Sequence, residues 1–349
     1  MWRGFVSGNN QVKERNHFIP QLLLRRFASR IEGKKAWVWQ YRQPAKPIEI
    51  STKDAAVGRF FYGKPETGIE DALTPHEVKT AELFTALDKG ADPNQFTEDL
   101  QRLVWLLYVR TKSFRRRLLK ASNGFVEVLL DELCSGENEL KLRKKILPRM
   151  DAQFLEKARA LPYQQQKYLL ANRRLLMAKM PLRSFVEEIV SGFLAEWSGA
   201  SEEAVESGQI KGMQGLLPEF SENTDFLEVQ NWKLVTSNEQ NLVLGDSCVF
   251  ALTNGEVRSL EKLHDKVVSS AIFLPISGTQ LLVGVRRGDD PSLPVDKVNL
   301  ASVRQSSEMF FASKMDPDLA NMVGQMGASS DLLARDEMKA LVAEIWGKL

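Results

Sequence analysis

The sequence predicts a mixed α+β fold, with a mainly helical middle and a small, mostly antiparallel sheet built from N-terminal and C-terminal strands. Near the N-terminus, Trp37, Trp39 and Tyr41 occupy every second position, which is the period of a half-buried strand. The middle of the chain instead has apolar residues at helical spacing. After Trp232 the chain returns to short β-branched segments separated by Asn, Gly, Asp and Ser, so both ends contribute strands.

Local signals place the first elements. Pro20 suits the first turn of a short apolar helix. The strand at 35–41 is followed by two prolines, and a short second strand is predicted at Ile48–Ser51. Thr74-Pro75-His76-Glu77 has the pattern of a capping box with proline at the first helical position, so a helix is predicted from Pro75 to about Asp88.

A long helical run fills the middle of the chain. One helix is predicted from Thr97 to about Glu132, with an apolar stripe that includes Arg110. Further helices are predicted at 138–160, broken near Pro148, at 163–180 and at 182–198. The C-terminal part is expected to hold strands at 232–236, 241–244, 248–252, 271–276 and 279–285, and helices at 297–312 and 330–347.

The predicted domain organisation follows from this layout. Residues 1–313 are expected to form a single α+β domain, with a strand-rich start (16–67), a helical middle (68–230) and a strand region plus helix (231–313). Residues 314–349 are expected to be a C-terminal tail that carries one helix.

Composition excludes several classes of protein. The chain has 349 residues, 43% of them hydrophobic, which is enough for a sizeable core. Cys134 and Cys248 lie far apart and have no zinc spacing, so a disulfide framework is excluded and a reducing compartment is expected. No stretch approaches about 18 apolar residues. We therefore expect a cytoplasmic protein with no membrane partner. Walker, Rossmann, nucleophile-elbow and zincin motifs are absent from the sequence.

Charge is unevenly distributed along the chain. Residues 101–183 hold 19 Lys and Arg against 7 Asp and Glu, whereas residues 184–235 hold 2 against 10. The basic segment can attract a polyanion such as nucleic acid, or it can dock on the acidic segment that follows. The candidate phosphate contacts are Arg115, Arg116, Arg117, Lys144 and Lys145, although three successive arginines on a helix point in three directions and also suit a solvated face.

Four polar residues are candidates for chemistry, and each has a structural alternative. His17 can act as a general base, or it can bond a backbone group in a packed segment. Asp246, at the end of an apolar strand, can hold a cation or close a Gly-Asp-Ser turn. Arg110, on an apolar stripe, needs a carboxylate or an anionic ligand, and Glu70 is its expected partner because Glu77 is engaged in capping.

Several short motifs carry a likeness to a known family. They are N-H-F-I-P-x-x-x-L-R-R-F from residue 16, the Trp37–Tyr41 strand, Ile69-Glu70 before a helix, W-x-L-V-T-S and L-G-D-S-x-V within 232–249, L-P-I-S at 274–277 and V-N-L-A-S at 298–302. In this order the motifs resemble the bacterial domain-of-unknown-function family numbered 4238, over roughly residues 16–312. The resemblance implies an architecture and candidate positions, His17 first among them, but no reaction. Two positions where that family usually has proline are Cys248 and Gly278 here.

These observations give one leading hypothesis and two alternatives. If folding gathers His17, Glu70, Arg110 and Asp246 into one cleft, the set suits a metal-dependent, nuclease-like hydrolase of nucleic acid or another phosphoester. Glu70 and Asp246 would hold a divalent cation, and His17 would activate water. The alternatives are a non-catalytic nucleic-acid-binding or regulatory module, and a protein-interaction scaffold that forms a homo-oligomer through the 330–347 helix.

Overall fold

The computed structural model describes residues 15–63, 68–179, 183, 186, 201–215, 229, 231–239, 242–253, 256–258, 260, 271–285, 294–329 and 333–347. The strands are β1 Arg15–His17, β2 Arg30–Glu32, β3 Lys35–Arg42, β4 Ile48–Ser51, β5 Val57–Arg59, β6 Asn231–Thr236, β7 Leu244–Gly245, β8 Phe250–Thr253, β9 Glu256–Arg258, β10 Ala271–Pro275, β11 Gln280–Val285 and β12 Met309–Ala312. The helices are α1 Gln21–Arg25, α2 Ile69–Asp88, α3 Thr97–Val109, α4 Lys112–Leu133, α5 Gly136–Arg159, α6 Tyr163–Ala171, α7 Arg173–Lys179, α8 at 201–215, α9 Val295–Gln305, α10 Pro317–Met322 and α11 Arg335–Gly347.

The predicted α+β class is confirmed, and the described strands form three antiparallel sheets. One has the order β2-β3-β12-β7, with β4 paired to the other edge of β3, so it joins strands from both ends of the chain as expected. A second sheet has the order β6-β11-β10-β8-β9 and comes from the C-terminal part alone. The third is the short pair of β1 and β5, in which His17 faces Val57.

The chain divides into two compact units. Unit 1 comprises Met1–Leu118 and Val205–Leu332, and unit 2 comprises Leu119–Ala204 and Leu333–Leu349. Unit 1 contains the sheets. Its main core packs against Val38 and its neighbours, while a second apolar cluster around Tyr41 and Phe310 covers the other face of the central sheet. The grouping of residues 1–313 into one domain stays a prediction.

Unit 2 is helical in its described residues. Val128, Ala158, Met177 and Val342 are among its buried side chains. The C-terminal helix α11 packs on α4. The Met338 side chain of α11 lies 3.2 Å from the position that a Cβ on Gly124 of α4 would occupy. Among the described residues, no helix combines the length and the apolar character needed to cross a bilayer.

Several predicted boundaries are wrong. Helix α2 begins at Ile69 instead of Pro75, because Gly68 adopts a positive φ of 66° and the burial of Ile69 and Leu73 stabilises two further turns. Pro75 therefore lies inside the helix, at the cost of one backbone hydrogen bond. The predicted capping box does not form, and the Thr74 hydroxyl instead donates to the Glu70 carbonyl.

The helical middle also differs in detail. The helix expected from Thr97 to Glu132 is interrupted at Arg110 and Thr111, because the Thr111 hydroxyl accepts a hydrogen bond from the Phe114 N–H and starts a new helix, α4. Helix α5 runs through Pro148 without the expected break. The helix predicted at 163–180 is two helices, α6 and α7. The one at 182–198 lies almost entirely outside the described residues.

The last predicted helix of the main region ends early. Helix α9 stops at Gln305, and residues Met309–Ala312 form β12 instead of a continuing helix. These four residues are all buried, and they pair with β3 on one side and with β7 on the other. The backbone N–H and C=O groups of β12 are therefore satisfied by two neighbouring strands. The sequence around residues 309–312 does not reveal this pairing.

Candidate functional site

Asn16 is held in a buried corner of unit 1 by the pairing of β1 with β5. The residue is 4% exposed, and its Nδ2 donates a hydrogen bond of 3.2 Å to Oε2 of Glu70 on α2. Because a carboxylate can only accept, this contact fixes the orientation of the Asn16 amide. No donor among the described residues lies within hydrogen-bond distance of Oδ1. The corner thus contains an Asn16 amide whose nitrogen faces a carboxylate and whose buried oxygen has no described donor.

His17, the next residue, is partly buried. Its Nε2 lies 3.2 Å from the backbone carbonyl of Thr52. A carbonyl can only accept, so Nε2 carries the proton and Nδ1 keeps a lone pair in the neutral ring. Burial lowers the pKa of His17, and the positive charge of Arg110 lowers it further, against opposing effects of the Thr52 carbonyl and of Glu70 and Glu77. The imidazole is therefore neutral at pH 7, as a general base requires.

Arg110 braces the same corner through the main chain. Its Nη2 donates to the His17 carbonyl at 2.9 Å, and its Nε donates to the Tyr62 hydroxyl at 2.9 Å. Tyr62 in turn donates to the same His17 carbonyl at 2.7 Å. The ion pair of Arg110 is with Glu77, at 3.0 Å, so the expected pairing with Glu70 is wrong. Glu77 is available because its predicted capping role does not exist.

The protonation states of this brace are stable near neutrality. Burial raises the pKa of Tyr62 to about 12, so its hydroxyl remains a donor. Burial alone would lower the pKa of Arg110, but the Tyr62 oxygen and the Glu77 carboxylate outweigh it and raise that pKa above its ordinary value. Arg110 thus acts here as a satisfied buried cation that positions β1.

Asp246 is positioned by β7 and makes its contacts elsewhere in unit 1. Its carboxylate is buried and accepts three backbone hydrogen bonds, from Ser307 at 2.8 Å, Glu308 at 2.7 Å and Met309 at 3.1 Å. Burial raises the pKa of Asp246 to about 6, against the opposing effect of these three donors. The side chain therefore holds in place the backbone that leads into β12, which is a structural role.

The three successive arginines on α4 are mostly directed into unit 1. Arg115 donates to the Phe61 carbonyl and to Gln209, and it pairs with Glu206 of the acidic segment at 3.6 Å. Arg117 is 2% exposed, and burial lowers its pKa to about 10. Arg116 is exposed and pairs with Glu308 at 2.9 Å. Two of the three therefore offer little charge to a phosphate.

Lys144 and Lys145 have a different environment. Both lie on α5 in unit 2 and are exposed. Neither has an acidic partner among the described residues. Their positive charges are therefore accessible, as a contact with phosphate requires.

No preformed metal centre is evident in the described part of the chain. No group of three or more His, Cys, Asp and Glu side chains there is placed to hold an ion. A small indentation of about 20 Å³, lined by Arg110, Glu77, His76, Thr80 and apolar residues, lies next to the brace and has room for about one water molecule. His17, Glu70 and Asp246 are not among its lining residues. The structure brings His17, Glu70 and Arg110 into one electrostatic environment and leaves Asp246 out.

Motifs that carry the family resemblance contact one another in pairs. Arg26 of L-R-R-F donates to the Ile276 carbonyl of L-P-I-S. Asn299 and Ser302 of V-N-L-A-S accept hydrogen bonds from the backbone N–H groups of Val243 and Gly245. These contacts satisfy backbone groups and stabilise the fold.

The remaining pair, Asn16 with Glu70, joins two side chains and satisfies no backbone group. Unlike the other two pairs, it therefore has no evident role in stabilising the backbone. Sequence reasoning placed Asn16 in the opening motif without giving it a role, and it missed Tyr62 altogether. The position of Asn16 beside His17 was the available signal, whereas nothing near Tyr62 in the sequence indicates its contact with Arg110.

The fold and this corner define an α+β protein with a partly buried histidine and an amide–carboxylate pair. The chain belongs to the family described as "Protein of unknown function (DUF4238)", whose match covers residues 15–316. No curated protein and no solved structure matches the chain. The earlier expectation of this family is thereby confirmed.

Proposed function

We propose that this protein is a metal-dependent phosphodiester hydrolase acting on nucleic acid or another phosphoester, with its site at Asn16, His17 and Glu70. The observation that carries the proposal is the state of His17. Its Nε2 is committed to the Thr52 carbonyl and its pKa is lowered, so Nδ1 is an unprotonated base at neutral pH. The Glu70 carboxylate acts electrostatically on this imidazole, and such a base suits the activation of water.

A cation at this corner would be held by few protein ligands. Asn16 Oδ1 and the Glu70 carboxylate are oxygen ligands, which Mg²⁺ and Mn²⁺ prefer. Mg²⁺ commonly binds through one or two carboxylates and keeps several of its waters. The lack of a three-residue cluster in the described residues is compatible with this type of site. The bound cation would lower the pKa of a coordinated water, and His17 would accept the proton.

The proposal changes the roles of two residues expected to be catalytic. Arg110 becomes a positioning residue, because its donors bind Tyr62, Glu77 and the His17 carbonyl. Asp246 becomes a structural residue, because its two oxygens are occupied by backbone N–H groups. Neither is needed as a cation ligand.

The test is hydrolysis of bis-p-nitrophenyl phosphate and of labelled single-stranded DNA, double-stranded DNA and RNA, with Mg²⁺ or Mn²⁺ and with EDTA. His17→Gln and Glu70→Gln are expected to lower the rate by at least about 100-fold while thermal unfolding is little changed. Asp71→Asn, an exposed carboxylate one residue further along α2, is the matched control and should keep full activity. Cleavage that is absent with every substrate, or that is unaffected by His17→Gln, would overturn the proposal.

A second function, non-catalytic binding of nucleic acid, is favoured by Lys144 and Lys145, which are exposed and have no acidic partner in the described part of the chain. Binding of a labelled duplex should weaken steeply with salt, and Lys144→Glu with Lys145→Glu should reduce the slope of log Kd against log salt by about 2. The exposed neighbours Lys34 and Lys35, both changed to Glu, provide a matched control in unit 1. Equal slopes for the two double variants would remove this function.

Self-association through α11 stays a prediction. Met338 and Val342 already pack within unit 2, which leaves less of the apolar face of this helix for a second copy.

A further inference from the structure

A groove in unit 2 lies outside the candidate site. Its volume is about 850 Å³, and its walls come from α5, α6 and α7. Three leucines line it, and they are strongly exposed: Leu147 and Leu170 at 40%, and Leu175 at 55%. Aliphatic side chains gathered in this way in a groove are typical of an interaction site.

The charges around the groove are unbalanced. Arg173 forms an ion pair with Asp151 across it, so these two charges neutralise one another. Arg174 lines the groove, is exposed and has no acidic partner among the described residues. Lys144 lies three residues before Leu147 on α5 and therefore on the same face of the helix. Within the described part of this surface, the charge left without a counterion is therefore positive.

We infer that this groove binds an acidic amphipathic helix of a partner protein. Leucines on one face of such a helix would contact Leu147, Leu170 and Leu175, and its carboxylates would pair with Arg174 and Lys144. Nucleic acid fits the groove less well, because the described residues that line it include no aromatic ring on which a base could stack. The inference goes beyond the proposed hydrolase and does not depend on it.

The experiment measures the fluorescence anisotropy of a labelled peptide against the full-length protein. The probe is a designed helix of about 18 residues, or five turns, with Leu on one face and Glu on the others. A control peptide carries Lys in place of each Glu. Saturable binding of the acidic peptide, with the basic peptide bound at least about tenfold more weakly, is the expected result.

Two matched variants locate the contact. Leu170→Glu should weaken binding about tenfold or more, whereas Leu161→Glu should change it less than about twofold. Leu161 is also 40% exposed in unit 2 but does not line the groove. Both positions are exposed, so both variants are expected to fold, and circular dichroism checks this. Arg174→Glu should also weaken binding, with the exposed Arg159→Glu as its control.

Three outcomes would overturn the inference. The first is no saturable binding of the acidic peptide below about 100 µM. The second is equal weakening by Leu170→Glu and Leu161→Glu. The third is that the groove has another occupant. This would be nucleic acid if labelled oligo-dT binds and Arg174→Glu weakens that binding while Leu170→Glu does not. It would be a second copy of the chain if light scattering shows an oligomer that Leu170→Glu dissociates.

Discussion

Arg110 contacts His17 through the peptide carbonyl of that residue and not through its side chain. The same carbonyl oxygen accepts from Arg110 Nη2 at 2.9 Å and from the Tyr62 hydroxyl at 2.7 Å. The guanidinium therefore fixes where the N-terminal strand lies, and its charge lowers the pKa of the imidazole. One residue thus contributes to both the position and the protonation state of the proposed base.

Replacing Arg110 by Met should reduce the free energy of unfolding by about 2–4 kcal/mol, because it removes three charge-assisted hydrogen bonds and leaves the buried Tyr62 hydroxyl with fewer partners. Glu77 is 43% exposed and can be rehydrated, which limits the loss. Urea unfolding measures this change. The matched control, Arg116→Met, removes an exposed ion pair and should change stability by less than about 1 kcal/mol. Similar losses in both variants would contradict the bracing role.

The pKa of His17 in the folded protein should lie below its ordinary value of about 6.5. An NMR titration of the imidazole carbons measures it directly. Because the folded pKa is lowered, the stability that neutral His17 contributes is present above pH 6.5 and is lost as pH falls through the folded pKa. Glu77→Gln should lower the pKa further, since the Glu77 charge raises it. A folded pKa at or above the ordinary value would also remove the basis for the proposed base.

Replacing Asp246 by Asn should lower the free energy of unfolding by about 1–3 kcal/mol, because a single amide oxygen cannot accept three backbone N–H groups. The pKa of Asp246 is raised to about 6 in the folded protein, so the contribution of its protonation is complete below its unfolded pKa of about 4 and is lost as pH rises past 6. Thermal unfolding of both proteins between pH 7 and pH 5 should therefore show the native protein gaining stability relative to the variant on acidification. The exposed Asp71→Asn is the control. A constant difference across this range would show that the carboxyl group does not titrate there.

Gly245 should not tolerate a side chain. A Cβ at this position would lie 2.5 Å from the Ser306 hydroxyl and 2.7 Å from the Ser302 carbonyl. We expect Gly245→Ala to cost about 1–3 kcal/mol in urea unfolding, since backbone of α9 would have to move. Gly208 lies in α8 with open space around its Cβ position, so Gly208→Ala should instead stabilise by about 0.5–1 kcal/mol. The opposite order of stabilities would contradict the close packing of β7 on α9.

The sequence predicts most elements whose cause is local. The alternation at 37–41 and the prolines after it predict β3 and β4, because neighbouring residues alone determine them. Prediction from the sequence fails where a residue far along the chain determines the type or the bounds of an element. Met309–Ala312 forms a strand because it pairs with β3 and β7, although residues shortly before it are helical. The Pro75 start of α2 is wrong because the burial of Ile69 outweighs a local capping signal.

The candidate site shows the same division. His17 and Glu70 are found from residue type and motif. The partner of Arg110 and the contacts of Asp246 depend on residues far along the chain, so spacing cannot reveal them. Asn16 is recognisable only once its buried oxygen, which has no donor among the residues that the structure describes, is seen in three dimensions.

The pairing of Tyr41 with Phe310 has a consequence for synthesis on the ribosome. Strand β3 is translated early, yet one of its edges is completed only when β12 has emerged some 270 residues later, as the register Tyr41↔Phe310 requires. Until then the nascent chain exposes an open strand edge beside aromatic side chains, which is a site for aggregation. A ribosome that stalls before residue 309 should therefore leave an insoluble fragment, and chaperone binding should concentrate on the segment around β3 until translation ends.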